Sequence, residues 1–333
     1  MSDTASFHLG TFSAAGGKPF PGLVMNERVV ALQTLRSLGQ CATLLDVLDD
    51  WPSNFSAIQD AAAQPEVLRH SRSISELSVH APVPRPGTIY CSGANYKKHV
   101  IDLIVAHQEQ AETQGMSLEQ KRAWGMKLMD ERAANGTPFV FIKPQSAVTG
   151  PFDPVVVPKE ARKPDWELEL GVIIGRRARR ISRDRALEYV AGYTVVNDIT
   201  LREKVFRRKS DSPELGMDFT VSKGAPSFLP MGPLLAPAAF VGDPQQLRVT
   251  LKLNGQVMQD ESTSDMIFTV AHLIEYLSAS VELQPGDVIC TGSPAGNGMH
   301  YGRFIQGGDV LEGSIFGPRM GLGTQRNPCV VEQ

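Results

Sequence analysis

Two glutamates on one strand-like stretch, and an aspartate at the end of another, offer the first chemistry in this chain. In Asp165-Trp-Glu-Leu-Glu-Leu170 the apolar Gly-Val-Ile-Ile-Gly175 follows at once, so the segment reads as the opening of a buried strand. A strand repeats every two residues, which puts Glu167 and Glu169 on one face and Leu168 and Leu170 on the other. Two carboxylates about 4 Å apart repel by roughly 4 kcal/mol at an effective dielectric near 20, so the pair demands water, a basic partner or a cation. The second run, Tyr189 to Asp198, ends an apolar segment in a third carboxylate. Three oxygen donors, with no cysteine nearby and no histidine at ligand spacing, suit a hard cation: Mg²⁺ or Mn²⁺, with Ca²⁺ as a further option. The same spacing fits Glu167 and Glu169 on the wet face of a half-exposed strand with Asp198 opening a turn. Spacing alone leaves both readings open.

The chain that must position these groups has 333 residues, room for one large or two modest domains. Its 33 basic and 36 acidic side chains leave a net charge of −3, which gives no bulk attraction to nucleic acid or to a membrane surface. The six arginines between Arg176 and Arg185 have no interleaved aromatics and read as a solvated turn. Cys41, Cys91, Cys290 and Cys329 are scattered without a Cys-x-x-Cys, which argues against a disulfide scaffold and against a zinc site. No basic-then-apolar leader opens the sequence, and no stretch approaches the ~18 apolar residues of a membrane span. The expectation is a cytoplasmic protein with reduced thiols.

Residues 1–80 read as a small N-terminal domain, with a hairpin about Asn26-Glu27 and a helix over Ala42–Asp50 that stops before Trp51-Pro52. Ala81-Pro-Val-Pro-Arg-Pro-Gly87 is a stiff linker, and residues 81–333 form the second domain. Thr88–Cys91 is a strand that turns through Ser92–Tyr96 into a helix carrying His99 and Asp102, three apart and so surface neighbours. A carboxylate beside an imidazole fixes its tautomer and stabilises the imidazolium, as a general base acting on water requires, although a helix-surface ion pair has the same spacing. Between about 103 and 136, Ser117–Gln120 fits a capping box and Asn135-Gly136 a helix end. This segment is read as a helical lid over the site, with a dimer-contact arm or a plain insertion as alternatives. Later, Asn254-Gly255 marks a hairpin ending at Gln259, Phe268–Ser280 an amphipathic helix, and Gly292–Gly296 a loop able to present backbone donors and the Ser293 hydroxyl. Ser293 is not a nucleophile elbow because proline follows it, and the loop lacks the Lys-Ser/Thr of a phosphate loop. His272 and His300 are read as structural.

Several of these segments, in a fixed order, resemble the fumarylacetoacetate hydrolase family. The resemblance rests on Glu167–Gly175, Ala191–Arg202, Phe228–Pro233, Asn254–Gln259, Met266–Phe268 and Leu283–Gly296, and it spans about Pro82 to Val330. Gly93-Ala-Asn-Tyr-Lys-Lys-His99 is similar to the Gly-x-Asn-Tyr-x-x-His of the acylpyruvate hydrolase-like branch, where a Glu three residues on completes a dyad with the His; Asp102 stands there in this chain. The resemblance implies an α+β fold whose catalytic part is a rolled, β-rich mixed sandwich, with a small N-terminal α/β domain, as a homodimer. It also implies a divalent metal on Glu167, Glu169 and Asp198, catalysis by His99, Asp102 and Lys223, and substrate contacts from Arg202, Lys143, Gln259 and Ser293. Val205, Pro226 and Ser293 replace a Gln, an Asp and a Thr common in the family. The implied reaction is hydrolysis of a C–C bond in a 2,4-dioxo acid of the acylpyruvate type, releasing pyruvate or a similar acid. Rival expectations are a decarboxylase or isomerase of oxo acids or hydroxydienoates on the same scaffold, a metal-free serine hydrolase, and a non-catalytic binding protein.

Overall fold

Two strands buried along their whole length set the frame: Leu168–Ile174 and Val190–Asn197. Continuous apolar burial is tolerated only at the centre of a layered sheet. The computed structural model describes residues 6–106, 113–206 and 216–333. Among the described residues the central sheet has six strands, in the order Ala236–Pro237, Val190–Asn197, Leu168–Ile174, Val288–Cys290, Ile89–Gly93 and Phe139–Lys143. Every pair is antiparallel except Val288–Cys290 with Ile89–Gly93. A second sheet of five strands, Gln256–Ser262, Arg248–Leu253, Val310–Phe316, Gly321–Val331 and Val155–Val157, packs against it. Leu168 fills the space over Gly313, where an added Cβ would lie 2.3 Å from its Cδ1. The architecture is α+β and β-rich, with mixed sheets.

The N-terminal portion contributes an antiparallel five-stranded sheet, ordered Arg72–Ser73, Arg28–Ala31, Phe20–Met25, His8–Ser13 and Ser78–His80. Asn26 and Glu27 turn its hairpin with φ of 50° and 59°, the two left-handed residues that a primed two-residue turn needs. The helix Leu44–Asp49 ends as expected, but Trp51-Pro52 then opens a second helix, Trp51–Ala62, because proline fits the first turn, where no intrahelical N–H partner is lost. The proline-rich segment has no regular element, yet Ala81, Pro82 and Val83 are buried, and Thr11 Oγ1 donates to Pro82 O at 2.8 Å. Leu9 and Leu235 exchange backbone hydrogen bonds, so the first sheet is stitched to the central one.

The helix Lys97–Ala106 packs against a longer one, Leu118–Asn135, whose Gly125 lies over Ile101. Ser117 and Gln120 form both bonds of the capping box. Residues 107–112, part of the segment read as a lid, lie outside the described residues. No helix among the described residues is long and apolar enough to cross a membrane.

Candidate metal centre and active-site cavity

The pairing of the two central strands brings the carboxylates together. Leu168 pairs with Asn197, and Asp198 N donates to Glu167 O at 2.8 Å, so the residue leaving one strand lies beside the residue entering the other. Glu167, Glu169 and Asp198 each offer an oxygen within 4.8 Å of the others. They are 7%, 2% and 1% exposed, which rules out the wet-face alternative.

Burying three like charges requires compensation. Lys223, at the end of the helix Phe219–Lys223, reaches Glu167 Oε2 at 2.5 Å, Asp198 Oδ2 at 2.6 Å and Thr200 Oγ1 at 2.6 Å. Lys143, the last residue of the edge strand Phe139–Lys143, donates to Asp198 Oδ1 at 2.6 Å. Arg202 Nε donates to Asp165 Oδ2 at 2.7 Å, and its Nη2 lies 2.6 Å from Glu167 Oε1 as an ion pair poorly aligned for hydrogen bonding. Burial alone would raise the Glu167 carboxyl, but Arg202 and Lys223 outweigh it and hold the group at about 2. Glu169 fares differently. Its carboxylate accepts the Gly292 N–H at 2.7 Å, and no cation pairs with it among the described residues. Burial first, then the neighbouring Asp198, push its carboxyl well above the ordinary range.

Four buried carboxylates, Asp165 included, thus meet three cations, and the uncompensated one points into the same cluster. An all-oxygen set of this kind fits a divalent metal ion, which would supply the missing positive charge. Lys223 keeps the Glu167 and Asp198 oxygens converged, so much of the order is built in before any ion binds.

A cavity of about 350 Å³ opens on this cluster. Glu167, Glu169, Asp198, Arg202, Lys223, His99 and Ser293 line it, together with an apolar group that includes Phe139, Phe141, Phe206, Met217 and Phe219. Burial, and next the Arg202 charge, push the His99 imidazole down to about 3, so it is neutral at pH 7 with a free lone pair. The expected His99–Asp102 dyad is not formed. His99 Nδ1 has no hydrogen-bond partner, while Asp102 Oδ2 lies 3.7 Å from His300 Nε2. Spacing of three makes the two Cβ atoms neighbours but does not set side-chain direction: His99 lines the cavity, and Asp102 lines a second hollow shared with His300, Lys98 and Glu261. His300, read as structural, is therefore close to the chemistry, its ring centroid 5.3 Å from that of His99.

Gln259 also departs from expectation, for it does not line the cavity. Wholly buried, it donates from Nε2 to Ser293 Oγ and Pro294 O, both at 3.0 Å, and accepts from Leu168 N at 3.1 Å. Its amide is used up in fixing the Gly292–Gly296 loop, and Ser293 is what it presents to the cavity. The same loop relies on Gly296, at φ 100°, where a Cβ would come within 2.0 Å of Met258 O. Gly296→Ala is expected to cost on the order of 3 kcal/mol, from backbone strain and the clash together. Denaturant unfolding reads it out, and an unchanged midpoint would contradict this account of the loop.

Two supporting residues went unassigned in the sequence. Asp165 accepts from Arg202, Gly298 N and Met299 N, and Asn95 joins Phe268 to Thr291 through its side-chain amide. Asp165 had a signal, its alternation with Glu167 and Glu169; Asn95 sat in the Gly-x-Asn-Tyr stretch and was read as a turn. None of the described cavity lining comes from 113–136, so Leu118–Asn135 covers its neighbouring helix and not the cavity.

Residues 88–330 match the model of the fumarylacetoacetate (FAA) hydrolase C-terminal family. The chain belongs to the fumarylacetoacetate hydrolase family. Among members of this family, it is 32% identical over 276 residues to the mitochondrial oxaloacetate tautomerase FAHD2A of Bos taurus, covering 82% of this chain and 76% of that one. It is 43% identical over 192 residues to the 2,4-didehydro-3-deoxy-L-rhamnonate hydrolase of Sphingomonas sp. strain SKA58, covering 57% of this chain and 64% of the relative. Its fold matches the crystal structure of maleylpyruvate hydrolase from Sphingobium sp. SYK-6 in complex with manganese(II) and pyruvate, with a TM-score of 0.70, 26% identity, and coverage of 98% and 100% of the two chains. Fumarylacetoacetate hydrolase-family proteins similar to this chain thus carry the names of both hydrolases and tautomerases.

Proposed function

We propose that this protein is a metal-dependent hydrolase that cleaves a C–C bond in a 2,4-dioxo acid of the acylpyruvate type. The observation that carries the reading is the neutral, buried imidazole of His99 opening into the same cavity as three converged carboxylates. A divalent ion held by Glu167, Glu169 and Asp198, Mg²⁺ or Mn²⁺, supplies Lewis-acid polarisation of a ketone oxygen. Arg202 faces the substrate's carboxylate, a task suited to a planar guanidinium. That contact also relieves His99, whose basicity Arg202 depresses in the resting site. His99 takes a proton from water as the oxygen attacks the distal carbonyl carbon, and the proton returns to the methylene carbon as the C–C bond breaks. Pyruvate and a second acid leave. Lys143 and Lys223 hold Asp198 and Glu167 in place. A homodimer, a cytoplasmic setting and a division between an N-terminal domain and the rest near residue 80 belong to the same proposal.

One observation favours a second reading. Asp102 does not support His99, and moving a proton on an enol, which is what a tautomerase or isomerase does, needs no attacking water for the imidazole to activate. A panel of 2,4-dioxo acids, oxaloacetate and hydroxydienoates, run with Mg²⁺ or Mn²⁺ and scored for pyruvate, a second acid, CO₂ or keto–enol exchange, separates the two. Cleavage of a dioxo acid that stops with a chelator and returns with Mn²⁺ is expected. Chelator-insensitive cleavage, or no cleavage of any dioxo acid, overturns the hydrolase.

A further inference from the structure

We propose that the cavity selects substrates whose distal end is an uncharged, planar hydrocarbon group such as an aryl ring, and rejects a distal carboxylate. This deepens the functional reading above and rests on it for the placement of the substrate's 2-oxo-acid head at the acidic end. The walls of the cavity differ in kind. Phe141 and Phe219 stack with centroids 4.2 Å apart at 13°, and Phe139 leans on both at 6.4 and 5.7 Å. Lys223 Nζ sits 5.4 Å over the Phe141 ring, so the aromatic wall begins where the carboxylate cluster ends. Phe139, Phe206 and Met217 extend this wall and stay 41%, 72% and 42% exposed. Apolar surface left open around a concave site is the mark of a surface that a ligand covers.

Among the described residues that line the cavity, Arg202 and Lys223 are the formal cations; Lys223 is held by Glu167 and Asp198, and Arg202, paired with Asp165 and Glu167, is the one that meets the head carboxylate. Beside three phenyl rings a distal carboxylate would lose water and find no further cation among the described lining residues. An aryl group would instead gain burial and edge or offset contacts with Phe139 and Phe219. The names of two proteins to which this chain is similar, oxaloacetate tautomerase and maleylpyruvate hydrolase, denote diacids, so the preference is a departure from them.

The test uses unreactive head-group analogues on the full chain with Mn²⁺: oxamate, N-benzyloxamate and N-(2-carboxyethyl)oxamate, with Kd measured by titration calorimetry. N-benzyloxamate is expected to bind at least tenfold tighter than the carboxyethyl compound. Phe219→Ala should reduce that ratio to within about threefold. Phe139→Arg, at a half-open position that accepts a long side chain, should reverse it. Equal or tighter binding of the carboxyethyl compound by the wild-type chain, or no binding of either, overturns the proposal. Selective benzyl binding by a protein that cleaves no dioxo acid would leave this inference standing and remove the hydrolase reading; cleavage confined to diacid substrates would do the opposite.

Discussion

Glu169→Gln is expected to lower kcat/KM by roughly 10³-fold or more, equivalent to the several kcal/mol of charge stabilisation that a metal Lewis acid contributes. The same change should leave the metal-free protein as stable as before, or more stable. The two effects have one cause. Among the described residues Glu169 is the carboxylate of the cluster without a cationic partner, and it accepts the Gly292 N–H, so in the metal-free fold its charge is a liability that the isosteric amide removes. In the loaded protein that charge is one of the three donors. Saturating Mn²⁺ should raise the stability of the wild-type chain by about 2.7 kcal/mol at a hundredfold excess over Kd, and this gain should vanish in Glu169→Gln. Asp198→Asn is the contrasting case. It strips a charge partner from both Lys143 and Lys223 in the core, and should destabilise even the metal-free fold by about 3–5 kcal/mol. Thermal unfolding with and without Mn²⁺, beside turnover, measures all of this. A Glu169→Gln protein still stabilised by Mn²⁺ would remove Glu169 from the ligand set.

The cluster was legible in the sequence because it depends on strand periodicity. Glu167 and Glu169 alternate with Leu168 and Leu170 whatever the rest of the fold does, and Asp198 ends a second apolar run, though spacing alone left a wet face open and Lys143 entered only through the family resemblance. The family resemblance placed Lys223 and Arg202 at the same point. Direction of side chains was not legible. His99 and Asp102 lie on one helix at a spacing that makes them neighbours, yet their orientation is decided by what packs around each: the cavity for one, His300 and the Lys98–Glu261 hollow for the other. Gln259 shows the same limit at long range. The Asn254-Gly255 turn fixed its strand, but only the meeting of that strand with Leu168 and the Ser293 loop shows that its amide is consumed behind the cavity wall. Trp51-Pro52 was read as a stop because proline ends helices, although it opens them equally well. Nor does a sequence show which of several buried carboxylates lacks a cation, the feature on which the metal argument turns.

His99→Asn should reduce hydrolysis by about 10²–10⁴-fold with KM nearly unchanged, because the amide fills the space and retains a donor but cannot take up a proton. Asp102→Asn should cost less than about tenfold, since Asp102 faces His300 and does not touch the base. A dyad predicts the reverse pattern: deleting the carboxylate would cost nearly as much as deleting the imidazole, as in groups that act as a unit. Steady-state kinetics on a cleaved dioxo acid, with keto–enol exchange of oxaloacetate followed in parallel, decides between these outcomes. If His99→Asn stops cleavage and spares exchange, the imidazole serves the attacking water, and hydrolysis is the reaction the site is organised for. If the wild-type chain exchanges oxaloacetate but cleaves no dioxo acid, and exchange survives His99→Asn yet is lost in Glu169→Gln, no attacking water is being activated at this position. The site would then be doing enolate chemistry through the carboxylate cluster alone, and tautomerisation becomes the function its geometry supports.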